Sequence, residues 1–110
     1  MLINVINLPE STERKQSVVN EFANQSINKF ELKFWNGIKT PQVPFLGISL
    51  AHKQIIRYSK ENRLKSTCVV EDDVKFTSKS SLRYYFDNMP TDFDLYLGCV
   101  YDGTINEQNL

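Results

Sequence analysis

The alternation of apolar strand-like runs with amphipathic stretches predicts an α/β domain, with a mostly parallel sheet and helices on both faces. Two further observations support that class. Cys68-Val69-Val70 is continuously apolar, as a strand buried on both faces requires. The run then stops at three carboxylates, Glu71-Asp72-Asp73, which are costly to bury unpaired and belong where a strand meets water.

Each element has its own signature. Leu2 to Asn7 reads as the first strand, ended by Pro9. A helix follows from about Ser11 to Asn24, with Ser11 or Thr12 as N-cap and Glu13 favourable in the first turn. Val18, Val19, Phe22 and Ala23 form its apolar face. Phe30 to Trp35 alternates as a second strand, and Asn36-Gly37 with Pro41 and Pro44 makes an irregular connection. A second helix starts near Gly47 or Ser49 and runs to about Glu61, with Ile48, Ala51, His52, Ile55 and Ser59 on one face. Thr67 to Glu71 is the third strand, favoured by its β-branched residues. A third helix, about Lys79 to Asn88, places Leu82, Tyr85, Phe86 and Met89 on one side. Phe93 to Leu97, mixed in polarity, is expected as a fourth strand at the sheet edge.

Composition narrows the function classes. Hydrophobic residues make up 41% and charged residues 24% of 110, a globular balance within the range of one small domain. Lys+Arg and Asp+Glu both number 13, so no overall field favours nucleic acid or an anionic membrane, and any phosphate site must be local. The N-terminus lacks the basic region and cleavage site of a signal peptide, and no apolar stretch approaches the ~20 residues that span a bilayer. Cys68 and Cys99 sit in apolar runs as reduced buried thiols, and His52, the only histidine, leaves no zinc spacing. These features point to a cytosolic chain, at most peripheral to a membrane.

The acidic run invites chemistry. In an open α/β sheet the carboxyl edge of the strands is where ligands bind, and hard oxygen donors there suit Mg²⁺ or Mn²⁺. The alternative is a solvated acidic turn. His52 likewise fits either a hydrogen-bonded core position or a ligand role. Trp35 and Phe34 suit either base stacking or the core.

Several motifs then converge. The opening Val5-Ile6-Asn7-Leu8-Pro9-Glu10-Ser11-Thr12-Glu13-Arg14 resembles the start of glycosyltransferase family 25, the lipooligosaccharide and collagen galactosyltransferase group. Gly47-Ile48-Ser49-Leu50-Ala51-His52 is similar to that family's Gly-x-x-x-Ser-His element, with Ser49 three residues before the histidine. Val69-Val70-Glu71-Asp72-Asp73-Val74 is similar to its strand ending in Glu-Asp-Asp, and Asp92 to Gly98 resembles the strand after it.

The resemblance implies a Rossmann-like, GT-A-type nucleotide-sugar transferase core, represented by its front part, in a fragment or a naturally short relative. It implies a UDP-sugar donor, a glycan acceptor such as lipooligosaccharide, hexosyl transfer, and a location in the cytoplasm or peripheral to the inner membrane. Asp73 is then expected on the metal, with Glu71 as a further ligand or ribose contact and Asp72 beside the donor. Asn7 and Leu8 would line the nucleoside pocket, Arg14 would reach the base or diphosphate, and His52 would stand near the donor. The general base that inverting transfer needs is left unassigned, with Asp102, after the fourth strand, as a candidate. Two alternatives remain: a short non-catalytic nucleotide-sugar-binding or interaction module, and a Mg²⁺-dependent phosphoryl-transfer or receiver-type domain. A short sheet with apolar edges also predicts a homodimer through an edge strand.

Overall fold

A computed structural model describes residues 1–27 and 29–98. Three strands form one parallel sheet: β1 (Leu2–Asn7), β2 (Glu31–Asn36) and β3 (Cys68–Glu71). Their spatial order is β2-β1-β3, so the chain leaves β1 to one side and then crosses it to reach the other. Crossovers of one hand that move in opposite directions put their helices on opposite faces. That is what the packing shows. α1 (Thr12–Ala23) and α3 (Ser81–Asp87) cover one face, with Ile3 and Val5 against Val18, Phe22 and Leu82. α2 (Pro44–Glu61) covers the other, with Ile6 against Ala51 and Ile55.

Among the described residues β1 is the only strand paired on both sides, in register Val5↔Phe34 with β2 and Val5↔Val70 with β3. Its alternating side chains feed both cores, and the polar ones are satisfied inside. Asn4 donates to the Cys68 carbonyl at 3.0 Å and accepts from the Trp35 indole at 2.8 Å, stitching the three strands together on the α2 side. Gln25 fastens the end of α1 to the start of α3. It donates to the Ser78 carbonyl at 2.9 Å and accepts from the Leu82 amide at 2.9 Å.

Some expectations need correction. α2 begins at Pro44, earlier than Gly47, because proline's fixed φ and missing N–H suit the first helical position. α1 buries only Val18 and Phe22, whereas Val19 is exposed and Ala23 turns to solvent. Phe93 to Leu97 does not form a fourth strand. The Tyr96 carbonyl, which a strand would offer to a neighbour, instead accepts the Tyr85 hydroxyl at 2.8 Å. The Tyr96 hydroxyl in turn donates to the Tyr85 carbonyl at 2.9 Å, and the two rings stack at 4.5 Å. The segment is therefore folded back on α3, and β3 keeps one open edge among the described residues. Cys99 lies outside them.

α2 ends with a left-handed Arg63 (φ 55°), whose amide donates to Lys60 while the Leu64 amide donates to Ser59. These two bonds satisfy carbonyls of the last turn in the manner of a glycine-type helix stop.

Burial pushes the Cys68 thiol above its ordinary 9.0. It also pushes the Tyr85 phenol above its ordinary 10.0, with Cys68 and Tyr96 adding to the rise. The proton is thus held more tightly in the folded chain. The stabilisation is complete below the unfolded pKa near 9.0 and is lost as pH rises through the higher folded value. Urea unfolding from about pH 8 to about pH 10 is expected to show falling stability, less steeply in Cys68→Ala. Phe22, which contacts Phe30 and Phe76 at 5.4 and 5.1 Å, is 1% exposed. Phe22→Ala is expected to cost about 3–5 kcal/mol in the same measurement.

Candidate functional site

The carboxyl ends of all three strands open on one cleft of about 520 Å³. Ile6 and Leu8 come from the end of β1, Gly37 to Pro41 from the connection after β2, and Glu71 and Asp72 from the end of β3. Arg14 of α1 and Gly47, Ile48 and Ala51 of α2 complete its walls. The strand order reverses between β1 and β3, so this is the crevice in which doubly wound sheets bind their ligands.

Two glycines allow the walls to close up. A Cβ on Gly47 would lie 2.0 Å from the Ile38 carbonyl oxygen, so only glycine lets α2 approach the loop after β2 so closely. On Gly37 it would meet Leu8 at 3.0 Å. The Thr40 hydroxyl accepts the Gly47 amide at 2.8 Å and donates to the Val43 carbonyl at 2.6 Å, tying the loop to the first turn of α2. Across the rim, Lys39 pairs with Glu10, and that hydrogen bond holds the exposed Glu10 carboxyl below its ordinary value.

The acidic run forms a tight turn, closed by the Val74 amide donating to the Glu71 carbonyl at 3.2 Å. The turn sends its three carboxylates in different directions. Glu71, on the cleft wall, meets His52 Nε2 at 3.3 Å. Asp72 folds back over α1, where one oxygen accepts Asn7 Nδ2 at 2.9 Å and the other meets Arg14 Nη1 at 3.2 Å. Asp73 is exposed and outside the cleft lining.

The expected residues therefore separate into two groups. Leu8, Arg14, Glu71 and Asp72 border the cleft. Asn7 does not: it is 7% exposed, and its amide also donates to the Ser11 carbonyl at 3.1 Å. It holds the acidic turn and the start of α1 together, and α1 has no side-chain cap of its own. His52 stands behind Glu71 and is half-buried. Asp102 lies outside the described residues. Gly37, Ile38, Lys39 and Thr40 also line the cleft but carry no motif. Their signal was positional, since they follow a strand whose carboxyl end faces the crevice.

No protein-family model, curated protein or solved structure matches the chain. The residues themselves must show what they could bind.

A divalent cation can be tested against the donor set. Among the described residues, no group of three or more His, Cys, Asp or Glu side chains is gathered as a metal site. A protein-only cage is thus not assembled. Mg²⁺-type sites, however, use one or two carboxylates together with waters and substrate phosphates. Glu71 and Asp72 on the wall, with Asp73 on the same turn, fit that looser requirement chemically. Arg14, 65% exposed at its side chain, lines the cleft while paired with Asp72.

Asn7→Ala is expected to cost about 1–3 kcal/mol in urea unfolding, because a nearly buried Asp72 oxygen and the Ser11 carbonyl lose their donor. Arg14→Ala, which removes the exposed member of the ion pair while Asp72 keeps its bond from Asn7, is expected to cost about 1 kcal/mol.

Proposed function

We propose that the cleft at the carboxyl edge of the sheet binds a nucleotide sugar, with a UDP-sugar as the first choice, together with Mg²⁺ or Mn²⁺ at the Glu71-Asp72-Asp73 turn. The reaction this serves is hexosyl transfer to a glycan acceptor such as lipooligosaccharide, on a GT-A-type core. One observation carries the reading: two carboxylates of the acidic turn, Glu71 and Asp72, line the same cleft as Arg14, at the point where strand order reverses.

The chemistry follows from the residues. Transfer breaks the bond between the anomeric carbon and the diphosphate, and charge grows on the leaving oxygen. A divalent cation supplies Lewis-acid stabilisation of that charge. Glu71, Asp72 and Asp73 offer it hard oxygen ligands, and the Arg14 guanidinium offers the diphosphate a charge-assisted donor. Leu8 and Ile48 give an apolar wall for a base or ribose. His52, bonded to Glu71, orients that carboxylate.

A second reading has its own support. Both Asp72 oxygens are engaged by Asn7 and Arg14, an arrangement suited to holding the turn rather than a metal. A module that binds the nucleotide sugar without transferring it is consistent with that. A receiver-type site gains less, because β1 ends in Asn7-Leu8-Pro9 where such a site would place acids.

Thermal-shift titration of UDP-glucose and UDP-galactose, with and without Mn²⁺, separates these readings. Metal-dependent stabilisation of about 2.7 kcal/mol is expected at ligand concentrations near 100 Kd. It should be lost in Asp73→Ala. No stabilisation by any nucleotide sugar with metal rejects the transferase reading. Stabilisation without donor hydrolysis or sugar transfer favours the binding module.

A further inference from the structure

The inner face of α2 is a line of small or compact residues, Gly47, Ala51, Ile55 and Ser59, all buried against the sheet. Its outer face is unusual for a helix already packed on one side. Phe45 is 79% exposed and Ile56 59%, and these two fall three turns apart on one line of the helix. Leu46 and Leu50, 48% and 36% exposed, flank the same face. Between them stand Lys53, Arg57 and Lys60, all exposed, and Glu61 is the only acid in the helix. The chain as a whole is charge-balanced, so this concentration of cations with bare apolar side chains is local.

We infer that the outer face of α2 docks on an anionic lipid surface, with Phe45, Leu46, Leu50 and Ile56 entering the headgroup boundary and Lys53, Arg57 and Lys60 meeting lipid phosphates. Charge complementarity decides the occupant. A second copy of this chain would bring the same three cations to the interface again, with Glu61 the only acid of the helix to answer them. An anionic bilayer offers both the apolar boundary and the negative potential that such a mixed face needs. Among the described residues no helix is long and apolar enough to cross a membrane, so the helix would lie on the surface. This inference is independent of what the cleft binds.

Co-sedimentation with vesicles of phosphatidylcholine alone, and of phosphatidylcholine with about 30% phosphatidylglycerol, tests it directly. Binding is expected only to the anionic vesicles, with release at about 0.5 M NaCl. Lys53→Gln, Arg57→Gln and Lys60→Gln together should weaken it about a hundredfold. Phe45→Ser with Ile56→Ser should weaken it at low salt too, with the far-ultraviolet circular dichroism of the wild type retained. Failure to bind either vesicle, or equal binding to both, overturns the inference. So does wild-type binding by the charge variant. Light scattering that shows a dimer, dissolved by the serine variant, would assign the face to a second copy and overturn it as well.

Discussion

Among the described residues, Ile3 to Asn7 occupy the one strand with neighbours on both edges and helices over both faces. Such a strand must satisfy two demands at once: apolar side chains toward each core, and partners for every polar atom taken from water. β1 meets the first with Ile3 and Val5 on one side and Ile6 on the other. It meets the second with Asn4 and Asn7, whose side-chain amides reach Cys68, Trp35, Ser11 and Asp72. Because these bonds run to β2, β3, α1 and the acidic turn, the cleft inherits its geometry from β1. The described residues contain no buried side-chain donor or acceptor without a partner.

The parts of the fold that rest on local pattern were legible in the sequence. β1 falls where its apolar run predicts, and β3 ends at the first carboxylate for the reason given by desolvation. The parts that rest on tertiary choice were not. Phe93 to Leu97 reads as a strand by composition, yet a strand needs a neighbour to pair with, and the Tyr96 carbonyl is taken by the Tyr85 hydroxyl. Pro41 and Pro44 look alike as loop signals, but only Pro44 sits where its missing amide costs nothing. At the site, motif reading found the two side chains that flank Asp72, and assigned one of them differently. Asn7 stands at the expected strand end but turns inward, because the nearly buried Asp72 carboxylate beside it needs a donor.

The acidic run also illustrates why three adjacent carboxylates are not three equivalent ligands. In an extended strand, successive side chains alternate between faces. A tight turn adds a change of direction, so Glu71 still points with the sheet toward α2 while Asp72 is carried back over α1. The Asn7 amide and the Arg14 guanidinium compensate the charge at Asp72, the less exposed position. At Asp73, solvent does so. Any ligand that draws Arg14 away must therefore replace its charge, and a cation arriving with an anion does that with the least disturbance.

α2 connects these regions because its sides answer to different constraints. Gly47 is fixed by the Ile38 carbonyl oxygen, which would lie 2.0 Å from any Cβ there, and Ala51 by close packing on the sheet. Neither leaves latitude for change. Ile48 shares the cleft wall, so its exposure belongs to the site. Phe45 and Ile56 have no such account. Scattered exposed apolar residues are ordinary, but an exposed phenylalanine aligned with an isoleucine beside three cations is patterned. Folding stability gives no reason to keep large apolar groups in water, so the pattern points to a surface that is covered when the protein works.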